Sequence, residues 1–390
     1  MHSLYFRELD AWFDPARARL HPSRPPNQPI GIVAGVETGQ LAGIFGNLEA
    51  TGKFAVECGA QSLMISNYLW NGDGHGENGR IVLRGPNEMR DLLAGLGVVA
   101  CTVSAHCAAY AHLSAKWGVE YAEKFVPGDV LARGAKYIED WSEDYLLVLL
   151  ETCVSAGIRI FGWFWGLWGP PALHSGYPWP FGWGRLMAEG LERFRAKTEK
   201  IRKRANELGA VLAHEIHPGT GALCARDFGL LLMAADYDPC LGVWGDPSHC
   251  WAGETWQERF TSPFVAPRVV GSHIKNFKCR SGASALMISE DWRERGHQFC
   301  GHGEGEVNLE SYAKTLLAIG AADRFCAING CDVFPLFSEA EDSILPLTAP
   351  APGLTGACAA GIQWVHTHLG GMSAATGLFT DAMARRNRQA

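Results

Sequence analysis

The chain has 390 residues, 47% of them apolar and 19% charged, and a formal net charge of −7. This composition supplies a sizeable core and argues against disorder. The acidic balance argues against a nucleic-acid partner, which needs a basic stripe to neutralise phosphates.

No apolar run reaches the ~18 residues of a membrane span. The first residues, MHSLYFRELDAWFDPARARL, carry acids and no apolar h-region, so neither signal peptide nor membrane contact is expected. Twelve cysteines are scattered singly, as at Cys101, Cys153, Cys240 and Cys326, with no CxxC pair. That pattern reads as reduced, core-filling thiols in a cytoplasmic enzyme.

In chain order, β-rich runs predict strands at 30–36 (IGIVAGV), 60–66 (AQSLMIS), 97–105 (GVVACTVSA) and 158–165 (IRIFGWFW). Four more follow at 210–216 (AVLAHEI), 240–245 (CLGVWG), 268–274 (RVVGSHI) and 325–329 (FCAIN). Helical spacing lies between them: PNEMRDLLAGLG opens on Pro86, 183–208 sets Leu186, Leu191, Phe194, Ile201 and Leu208 on one face, and 307–320 repeats the pattern. Eight strands alternating with helices predict a single α/β domain, a (β/α)8 TIM barrel over 30–372. An N-terminal arm (1–29), a C-terminal tail (373–390) and an aromatic-rich insertion after the fourth strand complete it. The alternative is an open doubly wound sheet, but no GxGxxG follows the first strand. GHGEGEV at 301–307 reads instead as a loop after the seventh strand that lets backbone approach a ligand.

Barrel enzymes hold their chemistry at the C-terminal ends of the strands. There the third strand runs into His106, the fifth into His214, Glu215 and His217, and the sixth into Asp246 and His249. The seventh ends in His273, Lys275 and Lys278, and the eighth in Asn329 and Asp332. Each residue alone has a plain reading: a core histidine at 273, an ion-pair glutamate at 215, a turn-forming aspartate in VWGDPSHCWA. Together, Glu215, Asp246 and His273 supply two oxygens and one nitrogen from three successive strands. That donor set suits a divalent metal ion such as Mn, Mg, Co or Zn.

Residues 161–183, FGWFWGLWGPPALHSGYPWPFGW, hold five tryptophans. They read either as loop packing or as an aromatic wall over the mouth, with Trp165 and Trp168 against substrate. Asn67, Tyr68, Trp70 and His75 would extend that wall, and His106 and His112 would join its rim.

The order HEIHP, DPSH, SHIKNFK and GHGEGEVNLESY resembles the xylose-isomerase-like TIM-barrel superfamily of sugar phosphate isomerases and epimerases, over roughly residues 30–335. The resemblance implies metal ligands at Glu215, Asp246 and His273 and a substrate-facing histidine at His249. At the eighth strand, where the family carries a glutamate, CAINGCDVF places Asn329. Asn can ligate a hard ion through its amide oxygen but cannot act as a base. Asp332, three residues on, is the expected substitute.

The function implied is metal-dependent proton abstraction next to the carbonyl of a keto-sugar or inosose, with the ion stabilising an enediolate. Glu215 or His249 would move the proton, Lys275 or Lys278 would neutralise the oxyanion, and His106 and His217 would contact substrate. The product would be an isomer or epimer. With a leaving group, the same family chemistry becomes the β-elimination of a dehydratase or of a lyase cleaving 3-keto- or C-glycosides. The Trp loop and the absent eighth-strand glutamate point that way. A partner-dependent or non-catalytic barrel, motivated by Asn329, is a further alternative. An endonuclease-like repair enzyme is opposed by the charge balance. The expected partner is a small unphosphorylated carbohydrate, with a homo-oligomer or a small partner subunit left open.

Overall fold

The computed structural model describes residues 12–20, 29–67, 80, 81, 83–171, 183–250, 254–279, 297–339, 351–370 and 372–374. Seven strands lie where the sequence predicts them: β1 (Ile30–Glu37), β2 (Ser62–Ser66), β3 (Ala100–Ser104), β4 (Ile160–Trp163), β5 (Val211–Glu215), β6 (Leu241–Gly245) and β7 (Val269–His273). The eighth, β8, is Val333–Ser338. Neighbours in sequence pair in parallel, and β8 pairs with both β7 and β1, which closes a (β/α)8 barrel. A short antiparallel hairpin, Asn276–Cys279 with His297–Cys300, stands beyond β7. Ser373–Ala374 adds an antiparallel pair to the start of β1.

The helices follow local chemistry. α1 (Leu48–Glu57) starts at Asn47, whose side chain accepts a hydrogen bond from Ala50 N. α2 (Pro86–Leu96) begins on Pro86 and stops at Gly97 in the left-handed region. Then come α3 (His106–Ser114), α4 (Ala135–Ser155), α5 (Trp183–Leu208) and α6 (Ala225–Ala234). α7 (Trp256–Thr261) opens with a reciprocal cap between Thr255 and Glu258. α8 (Leu309–Ala318), α9 (Ala321–Asn329) and α10 (Ala351–His368) complete the ring. Among the described residues no helix is long and apolar enough to cross a membrane.

The eighth strand corrects the sequence reading. FCAIN at 325–329 belongs to α9, bracketed by Gly320 and Gly330, both left-handed. A five-residue apolar run cannot be told from a buried helix by periodicity, and Pro335 inside VFPLFS argues against a strand there. β8 nevertheless holds Pro335 opposite Val33. Asn329 therefore ends a helix. Asp332 precedes β8, its carbonyl accepting from Gly31 N at 3.2 Å, at the N-terminal end of the strand. A six-residue strand separates both from the mouth by roughly 20 Å. The residue that β8 delivers to the mouth is Glu339.

Strand side chains alternate between the lumen and the helices. The lumen below the mouth is filled by Trp244, whose ring lies 5.4 Å from Phe337 and 5.6 Å from His273. Facing glycines make the space. A Cβ on Gly271 would come within 2.1 Å of the Trp244 ring, one on Gly35 within 2.6 Å of Phe337, and one on Gly162 within 2.4 Å of Met64. Gly271→Ala should thus cost about 1–3 kcal/mol by overpacking. Gly31→Ala, in the same sheet with no atom within 4 Å of the added carbon, should stay within about 0.5 kcal/mol of wild type. Urea unfolding of both variants measures the difference.

Candidate metal centre

Glu215 and His273 end their strands, and Asp246 follows β6 directly, so each takes an inward position at the C-terminal end of the barrel. All three are buried, and one donor atom from each lies within 4.8 Å of the others. Asp246 divides its carboxylate. Oδ1 accepts from Ser248 N and Ser248 Oγ, both at 2.7 Å, closing the Pro247–His249 turn. Oδ2 faces the cluster, 3.5 Å from His273 Nδ1 and 3.2 Å from His249 Nε2. The turn and the site are one feature of DPSH.

Two carboxylates that the sequence reading missed complete the mouth. Glu37, the last residue of β1, places Oε2 2.8 Å from His273 Nε2. Glu339 follows β8 and forms a second group of possible ligands with Glu37 and His273. The signal for Glu37 was its place one residue beyond the predicted first strand. Glu339 was hidden by the misplaced eighth strand.

Burial opposes every one of these charges, so the pairs decide. Against burial, the His273 and His249 imidazoles hold Glu215 well below the usual carboxylate range. His249 and Lys275 do the same for Asp246, and His273 for Glu37. In return, and again against burial, Glu339 and Glu215 raise His273, and Asp246 raises His249. Lys275 is buried, bonded to Glu339 and 3.9 Å from Asp246 Oδ2. Lys278, by contrast, is exposed and paired with Glu304 at 3.1 Å, away from the cluster.

The donor set fits a divalent ion. Glu215 Oε2, Asp246 Oδ2 and His273 Nδ1 are buried without an aligned hydrogen bond among the described residues. Buried polar atoms of this kind ordinarily have a partner. Two carboxylate oxygens and one imidazole nitrogen suit Mn, Mg, Co or Zn.

Around the cluster, His106 Nε2 lies 3.7 Å from Glu215 Oε2. The Phe164 ring sits 4.1 Å from His106 and 4.9 Å from His217. His217 Nδ1 is 2.6 Å from Pro218 O, which makes it the protonated nitrogen, and its ring lies 4.0 Å from His249. His112 is elsewhere, with ring nitrogens 2.9 and 3.0 Å from the carbonyls of Glu139 and Lys197. Asn67 is buried against the Tyr145 hydroxyl, while Tyr68, Trp70 and His75 lie outside the described residues.

The tryptophans take the packing role. Trp165 is fully buried against Trp163 and Phe194, and Trp168 donates to Gly221 O at 2.6 Å. Gly221 N donates in turn to Trp165 O, so the segment locks the loops after β4 and β5 together. Its half-buried ring beside the site is Phe164. Residues 172–182, including Trp179, lie outside the described residues, as does the Trp183 side chain.

The glycine-rich loop at 301–307 is likewise packed. Asn276 accepts from Val307 N and donates to Val307 O and His302 O. A Cβ on Gly305 would fall 2.0 Å from its Oδ1.

The xylose isomerase-like TIM barrel family profile matches residues 131–332, just over half of the chain. The chain belongs to that family. Solved structures similar to this family member include the probable 3-DHS dehydratase AsbF of Bacillus anthracis, at 16% identity and TM-score 0.52 over 86% of this chain and 98% of that one. D-psicose 3-epimerase from Clostridium cellulolyticum H10 gives 12% and 0.52 over 87% and 99%. The 3-keto-D-glucoside 4-epimerase of E. coli gives 12% and 0.51 over 87% and 99%. At such identities they speak for the fold alone. Comparison with curated proteins finds no significant match. Family membership and the donor cluster support a metal-using enzymatic role.

Arg259, buried on α7, braces the mouth. It donates to Ile216 O at 3.0 Å and to Leu223 O and His249 O at 3.2 Å, and pairs with Glu254. Arg259→Met should cost about 3–5 kcal/mol, because Glu254 keeps the Ala225 N–H but loses its counter-charge, and three carbonyls lose a donor. The double variant with Glu254→Gln should recover part of that loss in thermal unfolding.

Proposed function

We propose that this family member is a metal-dependent isomerase or epimerase of a polyhydroxylated keto compound, a keto-sugar or an inosose. One observation carries the reading: Glu215, Asp246 and His273 converge at the mouth, and His273 is shared with a second group holding Glu37 and the half-buried Glu339, so Glu215 and Glu339 lie about one imidazole. A bound ion supplies Lewis-acid charge that acidifies the carbon next to a carbonyl. Glu215, Asp246 and His273 hold the ion, with Glu339 as fourth donor.

The other steps fall to the chain. Glu215 and Glu339 stand on β5 and β8, on either side of the strands carrying Asp246 and His273. Carboxylates at separate positions can take a proton from the tetrahedral carbon beside the carbonyl, leaving a planar enediolate, and return one to its opposite face. Lys275 balances Glu339 and offers positive charge to a developing oxyanion. His249, whose pKa Asp246 and Glu215 raise against burial, can donate to a substrate oxygen when protonated. Phe164, His106 and His217 form the wall that orients a sugar and excludes water.

Metal analysis and solvent isotope exchange test this. Wild type should bind about one divalent ion per chain, and Ala at Glu215, Asp246 or His273 should remove most of it. Asn329→Ala and Asp332→Ala should leave it unchanged. In D2O, a panel of keto-sugars and inososes should yield a substrate that gains deuterium at the carbon next to its carbonyl. His249→Gln should lower kcat about 10²-fold while metal stays bound. A dehydrated product in place of an exchanged one would move the assignment to elimination. Absence of metal binding would overturn it.

A further inference from the structure

Glu37 is a buried carboxylate that the proposed chemistry does not use. Its Oε2 lies 2.8 Å from His273 Nε2, close enough for a hydrogen bond but not aligned for one, and a small turn of either side chain completes it. Ser104 hydrogen-bonds to the same carboxylate. The other nitrogen of that ring, Nδ1, faces Asp246 Oδ2 at 3.5 Å and Glu215 Oε1 at 3.7 Å. The two nitrogens of an imidazole diverge, so Glu37 and the donor cluster lie on different edges of one ring. A neutral imidazole carries its proton on one nitrogen only, and a metal takes the other.

We propose that Glu37 is a positioning residue that accepts the His273 Nε2–H, fixes that tautomer and ring orientation, and presents Nδ1 to the ion. The inference rests on the metal centre proposed above. An unconstrained His273 would share its proton between the two nitrogens and turn about χ2. Either change removes a donor from the cluster. Carboxylates in this relation to a ligating histidine raise its basicity as well as holding it. The neighbouring hydroxyl of Ser272 is spent on Gly245 O, His273 O and Tyr312.

Two measurements on the full chain test the role. In calorimetric titration with Mn2+, wild type should bind one ion. Glu37→Gln should bind one ion about 10- to 100-fold more weakly, and Glu37→Asp, one methylene short, should fall between. In 15N-histidine spectra of the Zn2+-loaded protein, wild type should show one ring protonated at Nε2 and metal-bound at Nδ1. The downfield Nε2–H signal should move in Glu37→Gln. A merely structural role would leave that signal in place.

Equal affinity in wild type and both variants, with thermal unfolding unchanged, overturns the role of Glu37 and leaves the metal centre standing. Two ions in wild type, with one lost in Glu37→Gln, also overturns it, making Glu37 a ligand with His273 and Glu339. A wild type that takes up no ion overturns the centre itself and this inference with it.

Discussion

Four carboxylates, Glu37, Glu215, Asp246 and Glu339, converge on the buried end of one barrel, and His273 stands among them. Two unit charges about 4 Å apart repel by several kcal/mol at a protein-like dielectric, so this mouth requires positive charge. His273, His249 and Lys275 supply it, which is why Glu37, Glu215 and Asp246 are pushed below the usual carboxylate range and both imidazoles upward despite burial. Such a cluster is costly to assemble and costly to break one member at a time. A divalent ion would answer the same electrostatic demand with two positive charges at one point, and the donor atoms without aligned hydrogen bonds are where it would act.

The surrounding structure keeps these charges in place. Below them Trp244 and Phe337 pack in the lumen against glycines. Beside them Arg259 ties together the carbonyls of Ile216, Leu223 and His249, spanning the loops that follow Glu215 and Asp246. Above β7, Asn276 uses both ends of its amide on the 301–307 loop. A site precise to a fraction of an ångström needs this kind of support, because its ligands are held by neighbours that are themselves fixed.

Seven strands and the Glu215–Asp246–His273 group were legible because each signal is local. A β-rich run bounded by turn residues marks a strand, and a polar residue at its end marks the mouth. The misreadings share a cause in long-range packing. Pro335 disguised β8, since a proline has no N–H for the ladder and argues against a central strand. FCAIN was apolar because α9 buries it, and periodicity over five residues cannot say against what. The tryptophans at 163, 165 and 168 announced bulk, and bulk served the core as readily as a binding wall. Which ring faced the site depended on strand phase, and phase selected Phe164.

Moving the eighth strand changes the chemistry as well as the fold. With Asn329 at the mouth, His249 would carry most proton traffic beside a single glutamate, and elimination would gain weight. With Glu339 there, two glutamates remain, in unlike surroundings. Glu215 is ringed by His106, His249 and His273 at 3.5–3.7 Å, which stabilises its anion and makes it the weaker base. Glu339 is half-buried and answers to Lys275. Carboxylates whose environments differ in this way divide acid and base work between them. On the proposed reaction, the glutamate beside lysine and the glutamate among histidines would serve opposite faces of the substrate, and their unequal basicity would set which direction of exchange is faster.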